Sequence, residues 1–305
     1  MVKYIVKKIC VAFLTIFILV SVVFLMIRLL PGDPFNDVKV PKATQEKMRS
    51  YYGLDKPLHE QYLTYMNNLL HGNMGYSLRT QNRTVNEIIV KAFPYSLDLG
   101  IRALIFAVVA GLGLGILAAL KHNQFWDHFS MTIAVIGISV PSFIIGSLIQ
   151  YVFAVKLKIL PVALWETEAS TILPTFALGL GSVASVARIM RTSMLEISNE
   201  DYIKTAKAKG LSNFEITRKH KLRNSLLPIV TVLGPMVAVL LTGTFVIENI
   251  FAIPGLGKHY VNSIQTLDYP LILGMTLVYS VFLIVMQLFV DIVYGLVDPR
   301  IKLYQ

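Results

Sequence analysis

The sequence predicts an all-α membrane protein with six transmembrane helices. Of its 305 residues, 55% are hydrophobic and only 15% are charged, whereas a soluble domain has about 45–50% apolar and about 25% charged residues. Crossing a bilayer core of about 30 Å takes about 20 apolar residues in a helix. Uncharged windows near that length lie at residues 9–27, 103–120, 129–155, 169–187, 224–247 and 269–290.

The first window resembles a signal peptide because Lys3, Lys7 and Lys8 precede it. Its apolar stretch is too long for a typical signal sequence, however, and no small-residue cleavage motif follows. We therefore expect an uncleaved first span whose amino terminus lies in the cytoplasm.

The distribution of basic residues in the short loops predicts the orientation. An even number of spans places both termini on one side, and that side would hold most of the short-loop lysines and arginines. Cytoplasmic loops carry such an excess, so both termini are expected in the cytoplasm. This bias also accounts for most of the net charge of +10, and a nucleic-acid partner is not needed to explain it.

Changes in polarity along the chain predict four parts. These are an N-terminal transmembrane helix (1–30), an extracytoplasmic helical segment (31–97), a five-helix core (98–297) and a cytoplasmic tail (298–305). In the extracytoplasmic segment, Pro57 would separate two short helices, and Gly53 would end the first of them.

Small residues in the spans indicate close helix packing. Gly111 and Gly115 form a GxxxG spacing, and Gly181 lies on a second small-residue face. Such faces pack either within one bundle or against a second, similar subunit, and the sequence leaves both open. Pro141 and Pro235 are expected to kink their helices.

Charged residues near the ends of the spans have two interpretations. Arg28, Asp98 and Arg102 lie near the predicted outer ends, where long side chains reach water by snorkelling. Glu248 is either an interfacial carboxylate or part of an outer gate, since polar groups in spans are often functional. The spans show no chain of buried acids, which argues against a proton-coupled carrier.

Sequence motifs for catalysis, metal binding and nucleotide binding are absent. Cys10 is the single cysteine, the six histidines lack ligand spacing, and no Walker A motif occurs. Hydrolase motifs such as Gly-x-Ser-x-Gly are missing as well. We therefore expect no catalytic residue, no metal and no cofactor in this chain.

A basic stretch between the fourth and fifth windows predicts a cytoplasmic loop, residues 190–225, with internal helices. Ser198 would cap a first helix at 199–209, and Gly210 suits the left-handed position after it. Ser212 and Glu215 have the spacing of a capping box for a second helix. We call this helix–glycine–helix structure the elbow.

The composition of the elbow indicates a binding surface. Residues 188–223 contain nine lysines or arginines and four acids. Ala206, Ala208 and Gly210 would give a slim surface that fits a groove in another protein. Attraction of the basic residues to anionic lipid headgroups is the alternative, at about 1 kcal/mol per basic residue.

The same stretch resembles the "EAA" loop of ABC-importer permeases, which has the pattern E-A-A-x3-G-x9-I-x-L-P. Lys204, Thr205 and Ala206 take the first three places, Gly210 takes the glycine, and His220, Leu222 and Arg223 take the last three. "DYIKTAKAKGLS" and "HKLRNSLLP" are similar to the variant in the peptide/nickel branch. "RLLPGDPF", "GLDKPLHEQY", "GNMGYSL", "ENIFAIPGLG" and "DPRI" also resemble that branch, in particular the B-type permeases of oligopeptide and dipeptide importers.

The resemblance implies the type I (MetI-like) ABC-importer fold and a set of partners. These are a second permease, two cytoplasmic ATPases that bind ATP and Mg²⁺, and an external substrate-binding protein. It also implies peptide substrates and an ATPase contact made by the elbow, for which the candidates are Ala206, Lys207, Gly210 and Leu211. The alternatives are a nickel or metal-chelator importer of the same family and an ATPase-independent channel or carrier whose elbow binds lipid.

Overall fold

The computed structural model describes residues 2–29, 46, 49–50, 53–80, 83–242 and 245–297. Within these ranges every regular element is helical, apart from a single antiparallel bridge between Tyr76 and Thr84. The predicted tail at 298–305, its "DPRI" motif and most of "RLLPGDPF" lie outside the described residues.

The helices follow the predicted order along the chain. They are α1 (Val2–Leu29), α2 (Leu58–Leu70), α3 (Val85–Leu120), α4 (Phe125–Ser139), α5 (Ser142–Ile149), α6 (Glu168–Ser198), α7 (Asp201–Ala208), α8 (Asn213–Ile216), α9 (Leu222–Ser225), α10 (Leu227–Thr242), α11 (Phe245–Ile250), α12 (Leu256–Gln265) and α13 (Tyr269–Val297). Wide π-helical turns extend α5 over Gln150–Lys156 and join α8 to α9 over Thr217–Lys221.

Four helices in the described residues are long and apolar enough to cross a membrane: α1, α3, α6 and α13. Two further apolar stretches are broken helix pairs, bent by 109° between α4 and α5 and by 44° between α9 and α10. The chain therefore has four candidate spans, or up to six if each bent pair is one span. The prediction of a polytopic, all-helical membrane protein is confirmed.

A proline lies at one of the two bends and just after the other. The α4–α5 break lies at Pro141, where Val140 takes the extended backbone favoured before proline. The other bend lies at Leu226, followed by Pro228 near the start of α10, where a missing N–H removes no helical bond. At Pro235, where a kink was expected, α10 continues without a break, and the kink itself stays a prediction.

Contacts divide the chain into two compact units, and this division differs from the predicted one. The first unit comprises Met1–Pro94 and Gly255–Val285, and the second comprises Tyr95–Pro254 and Met286–Gln305. Helix α3 begins at Val85, inside the segment predicted to be extracytoplasmic. The helix runs across the predicted boundary at 97/98, because polarity marks where apolar residues begin and not where a helix begins. The division into four parts stays a prediction.

The first unit is held by apolar contacts and by one buried carboxylate. Leu271 and Met275 of α13 pack against Val85 at the start of α3. Asp268 is 1% exposed and accepts hydrogen bonds from Ser77 Oγ at 2.5 Å and from the Leu78 backbone N–H at 3.0 Å. In this unit Gly53 has a φ of +65°, as expected for a residue that ends a helix.

Helix α6 forms the centre of the second unit, and glycines allow other helices to approach it closely. A Cβ at Gly111 would lie 2.6 Å from Val186 Cβ, and one at Gly115 would lie 2.6 Å from the Ala187 carbonyl oxygen. A Cβ at Gly181, on α6 itself, would lie 3.3 Å from a backbone oxygen of α4. These three glycines therefore pack within the chain, which agrees with the first of the two readings of the small-residue faces.

Candidate functional site

The elbow consists of α7, α8, the wide turn Thr217–Lys221 and α9, and it connects α6 to α10. A hydrogen bond from Asn224 Nδ2 to Tyr202 Oη, 2.9 Å long, joins its last helix to its first. The elbow is thus a folded substructure at the end of α6, as the sequence predicted.

Gly210 provides the turn between the two halves of the elbow. Its φ of +79° is in the left-handed region, where a side chain is disfavoured. The Gly210 N–H donates to the Lys207 carbonyl at 3.0 Å, and the Leu211 N–H donates to the Ala206 carbonyl at 3.3 Å. This pair of bonds is the Schellman motif, and it satisfies carbonyls at the end of α7.

Capping differs between the two halves of the elbow. Ser212 and Glu215 form the predicted capping box, with the Glu215 N–H donating to Ser212 Oγ at 3.3 Å. The predicted cap at Ser198 is wrong, because its hydroxyl donates to the Met194 carbonyl at 2.6 Å. Glu200 occupies the N-cap position of α7 without a side-chain cap.

A small apolar core makes the elbow rigid. Ile203, Ala206 and Ile216 are at most 5% exposed and pack together, with Leu211 partly buried against them. Ala206 was expected on the slim docking surface, and that expectation is wrong. A larger side chain at this position would fill the space between α7 and α8. The small Ala206 therefore sets the distance between these two helices inside the elbow.

The surface of the elbow is basic, and Phe214 is the more exposed of its two exposed aromatic side chains, Tyr202 and Phe214. Lys207 and Gly210 are exposed, as a contact surface requires. Among the described residues, no atom lies within 4 Å of the position a Gly210 Cβ would take. Phe214 is 72% exposed at the start of the second half, and the sequence analysis did not single it out.

The base of the elbow is fixed by an ion pair between α4 and α6. Arg191 Nε lies 2.6 Å from Asp127 Oδ1, and its Nη2 lies 2.8 Å from Asp127 Oδ2. His122 Nδ1 lies 3.2 Å from Asp127 Oδ2, and the Asn123 N–H donates to the same oxygen at 2.9 Å. The Asp127 side chain is only 2% exposed, whereas that of Arg191 is 24% exposed, so the carboxylate of this bidentate pair is shielded from water and the guanidinium is partly solvated.

The opposite end of α6 has a more exposed cluster. Arg102 donates to Glu168 Oε2 at 2.6 Å and to Asp98 Oδ1 at 2.9 Å. The Trp165 indole N–H donates to Asp98 Oδ2 at 3.2 Å. Snorkelling alone is therefore not the role of Asp98 and Arg102, because both take part in a network that includes Glu168, on the first turn of α6.

Glu248 is fully buried, with 0% exposure, so its interpretation as an interfacial carboxylate is wrong. The Ser96 hydroxyl donates to Glu248 Oε1 at 2.6 Å, which joins α11 to α3. Apolar neighbours enclose this contact, among them Ile247 and Phe251. The structure thus places a carboxylate in the interior of the second unit, where a shift of either helix would disturb its hydrogen bond.

Two family models together match nearly the whole chain. "Binding-protein-dependent transport system inner membrane component" matches residues 111–303, and its N-terminal companion model matches residues 1–100. The chain belongs to this family of permeases. It is accordingly an integral protein of the bacterial inner membrane.

Relatives of this permease match along their full length. The dipeptide transport system permease protein DppB of Bacillus subtilis is 46% identical, over 100% of this chain and 99% of its own. The oligopeptide transport system permease protein OppB of Haemophilus influenzae is 40% identical over 99% of this chain and 100% of its own. The Escherichia coli OppB is 37% identical over the same shares.

Solved structures of ABC transporters have the same fold. An inward-facing structure of the MetNI methionine ABC transporter matches with a TM-score of 0.54 and 20% identity, over 69% of this permease and 96% of that chain. An amino acid ABC transporter crystallised with histidines matches with a TM-score of 0.53 and 17% identity, over 71% and 95%. The predicted MetI-like fold is confirmed.

Two charged side chains of the permease, which form one ion pair, carry no sequence motif that marks them. Asp127 lies just before the third uncharged window, and Arg191 lies just after the fourth. A search for opposite charges at the same predicted membrane level would have paired them. Within the described ranges, no group of three His, Cys, Asp or Glu side chains could hold a metal ion.

Proposed function

We propose that this permease forms half of the translocation path of an ATP-driven importer of dipeptides or oligopeptides. A second permease forms the other half, two cytoplasmic ATPases supply the energy, and an external binding protein delivers the substrate. The observation that carries the proposal is the elbow: a folded, doubly capped structure with an exposed turn, attached to the central helix of the second unit. A connection that only joined two spans would need no core of its own.

The elbow receives the movement of an ATPase. Lys207, Gly210 and Leu211 form the turn that enters a groove of the ATPase, with Phe214 as an apolar anchor beside them. Ala206 supports this surface from inside, since it is buried under the turn. Basic side chains around Phe214 suit a groove with acidic margins, and the exposed glycine permits close approach.

Helix α6 transmits the movement through the membrane. Its 31 residues span about 46 Å. Met190 and Met194 near its end pack with Ile229 of α10, and Arg191 is bound to Asp127 on α4. A displacement of the elbow is therefore passed to three helices together and not only to the loop.

Glu248 acts at the opposite side of the membrane as part of an outer gate. Its hydrogen bond with Ser96 holds α11 to α3 in the present conformation. Opening the path on that side requires these helices to shift, and the bond between them resists such a shift. Both termini and the elbow lie in the cytoplasm, in agreement with the distribution of basic residues.

The substrate class follows from the full-length relatives, which are named as dipeptide and oligopeptide permeases. ATP and Mg²⁺ bind to the partner ATPases, and this chain supplies the path and the coupling without catalytic residues. A nickel or metal-chelator importer is the alternative within the family. An ATPase-independent carrier with a lipid-bound elbow is the alternative outside it.

Purification of the tagged chain from its native membranes in mild detergent tests the proposal. We expect two P-loop ATPases and a second permease in the eluate, together with ATP hydrolysis. After reconstitution with the binding protein, labelled dipeptides or tripeptides should enter vesicles only when ATP is present on the elbow side. Uptake of nickel chelates in place of peptides would favour the first alternative, and ATP-independent transport by the isolated chain would support the second.

A further inference from the structure

A cavity of about 480 Å³ lies in the first unit, beside the end of the first span. Its walls come from the last turn of α1, from α2 with the residues around it, and from the first turn of α13. None of these residues has a role in the elbow or in the coupling path proposed above. The cavity therefore needs an explanation of its own.

Arg28 is the principal charge of the cavity, and it has no counter-ion among the described residues. Its guanidinium lies 5.3 Å from the ring centre of Phe24 and 5.7 Å from that of Tyr269. These rings hold the cation in place without neutralising it. Its Nε is buried and has no hydrogen-bond partner among the residues that the structure describes. A buried donor without an acceptor indicates a missing ligand or water.

The rest of the described lining complements an anion that carries hydroxyl or amine groups. Lys56 adds a second cation, and the described lining contains no aspartate or glutamate. Gln61 Nε2 donates to the Lys56 carbonyl at 2.7 Å, whereas Gln61 Oε1 is buried without a partner in the described part of the chain. Asn68 and Tyr65 provide further polar groups. The cavity thus has an excess of positive charge and an unused acceptor.

The position of Arg28 places the cavity at the level of the lipid headgroups. Arg28 is in the last turn of an apolar span that runs from Val6 to Leu29, and its 24 residues cover about 36 Å, a little more than a bilayer core. Leu25, one turn before Arg28 on α1, is 45% exposed, and Leu29, directly after Arg28, is 80% exposed, so exposed apolar side chains flank Arg28 along the helix. A cationic cavity is therefore continuous with a surface that suits acyl chains.

We propose that this cavity binds the headgroup of an anionic phospholipid. Arg28 and Lys56 hold the phosphate, Gln61 accepts a hydrogen bond from a headgroup hydroxyl, and the acyl chains lie along Leu25 and Leu29. Basic pockets beside membrane helices bind anionic headgroups in this way. A small soluble anion would match the phosphate contacts but would leave these apolar side chains of α1 unused.

Native mass spectrometry of the delipidated full-length chain, with any co-purifying subunits, tests this site. The probes are dioleoylphosphatidylglycerol, dioleoylphosphatidylcholine and inorganic phosphate. We expect retention of phosphatidylglycerol, and a decrease in its binding of about tenfold in Arg28→Gln, because a charge-assisted hydrogen bond is lost. Lys56→Gln should reduce binding less, since Lys56 is exposed.

Lys91→Gln is the matched control, because Lys91 is an exposed cation of the same unit outside the cavity. We expect it to bind phosphatidylglycerol as the unmodified chain does. Equal binding by Arg28→Gln and Lys91→Gln, or equal retention of phosphatidylcholine, would overturn the proposal. Displacement of the lipid by inorganic phosphate would also overturn it and would leave a site for a soluble anion.

The exposed Lys56 makes the test independent of the folding of the Arg28 variant. If Arg28→Gln does not accumulate, unchanged lipid binding by Lys56→Gln refutes the site, and reduced binding supports it. Lipid binding is measured without substrate or ATP, so its result is independent of the proposed peptide import. The leaflet that holds the lipid would follow from the proposed orientation, and this test does not depend on it.

Discussion

The two ends of α6 are tied to their neighbours by arginine pairs of very different burial. At the elbow end, Arg191 forms a bidentate pair with Asp127, whose side chain is 2% exposed. At the other end, Arg102 binds Glu168, whose side chain is 83% exposed, and Asp98, which is 40% exposed. Exposed ion pairs contribute little to stability. Removing one partner of a shielded ion pair costs more, because the remaining charge stays buried without its counter-ion.

This difference indicates where the central helix is fixed and where it can move. The elbow end is bound to α4 by the Arg191 pair and to α10 by the packing of Met190 and Met194. The other end is held by side chains that water can replace at small cost. A helix that transmits movement from the elbow would need this arrangement. If its elbow end were loosely held, that end would shift by itself and the movement would not reach the rest of the helix.

The largest effect is expected from Arg191→Ala. The substitution leaves the Asp127 carboxylate without its cation, which costs about 3–5 kcal/mol for a buried pair. Because the Arg191 side chain is itself 24% exposed, we expect the lower end of that range. Thermal unfolding of the purified chain in detergent should show a clear decrease in Tm.

The double variant Arg191→Met with Asp127→Leu is the control for this prediction. It removes both charges and keeps apolar volume at both positions, so it should recover most of the lost stability. A double variant as unstable as Arg191→Ala would show that the packing around these side chains, and not the uncompensated charge, determines the loss.

A smaller loss is expected from Gly115→Ala. Its Cβ would lie 2.6 Å from the Ala187 carbonyl oxygen and 2.7 Å from Met190 Cβ, so α3 and α6 must separate, at about 1–3 kcal/mol. Gly113→Ala, two residues earlier on α3, meets no described atom within 4 Å. It should be neutral or stabilising by up to about 1 kcal/mol. Equal Tm values for the two variants would contradict the close packing.

The sequence predicted those features that depend on local geometry. Gly210 and the Ser212–Glu215 capping box have fixed spacings, and both occur where expected. Ala206 was misplaced because its burial depends on Ile203 and Ile216, which meet only when the elbow folds. The periodicity of a single helix does not show this.

The features that the sequence could not predict join distant parts of the chain. The pair of Asp127 and Arg191 spans 64 positions, and that of Ser96 and Glu248 spans 152. Local patterns place Asp127, Arg191 and Glu248 near the ends of uncharged windows but do not show what each side chain contacts. Their partners become evident only from the packing of the helices.

At the elbow itself, Gly210→Val tests coupling with only a small loss of stability. The left-handed conformation costs a residue with a side chain about 1–2 kcal/mol, and the new side chain points away from the described residues. We expect normal membrane insertion, continued ATP hydrolysis by the complex and loss of peptide uptake. The ratio of peptide transported to ATP hydrolysed in proteoliposomes measures this effect.

Gly72→Val provides the matched control for backbone strain. Gly72 has a φ of +73° and equally open surroundings among the described residues, but it lies in the segment after α2. It should lose a similar amount of stability and keep its transport ratio. If both variants transport peptides equally well, the elbow turn does not form a close contact with an ATPase.

The smallest effect is expected from Arg102→Gln, and it tests the comparison between the two ends of α6 directly. The variant removes an ion pair to the exposed Glu168 but leaves Asp98 bonded to the Trp165 indole. Since water and salt ions replace the lost interaction, Tm should change little and should depend weakly on ionic strength. A decrease as large as that of Arg191→Ala would show that both ends of α6 are fixed, and the helix would then have to move together with its neighbours as one rigid body.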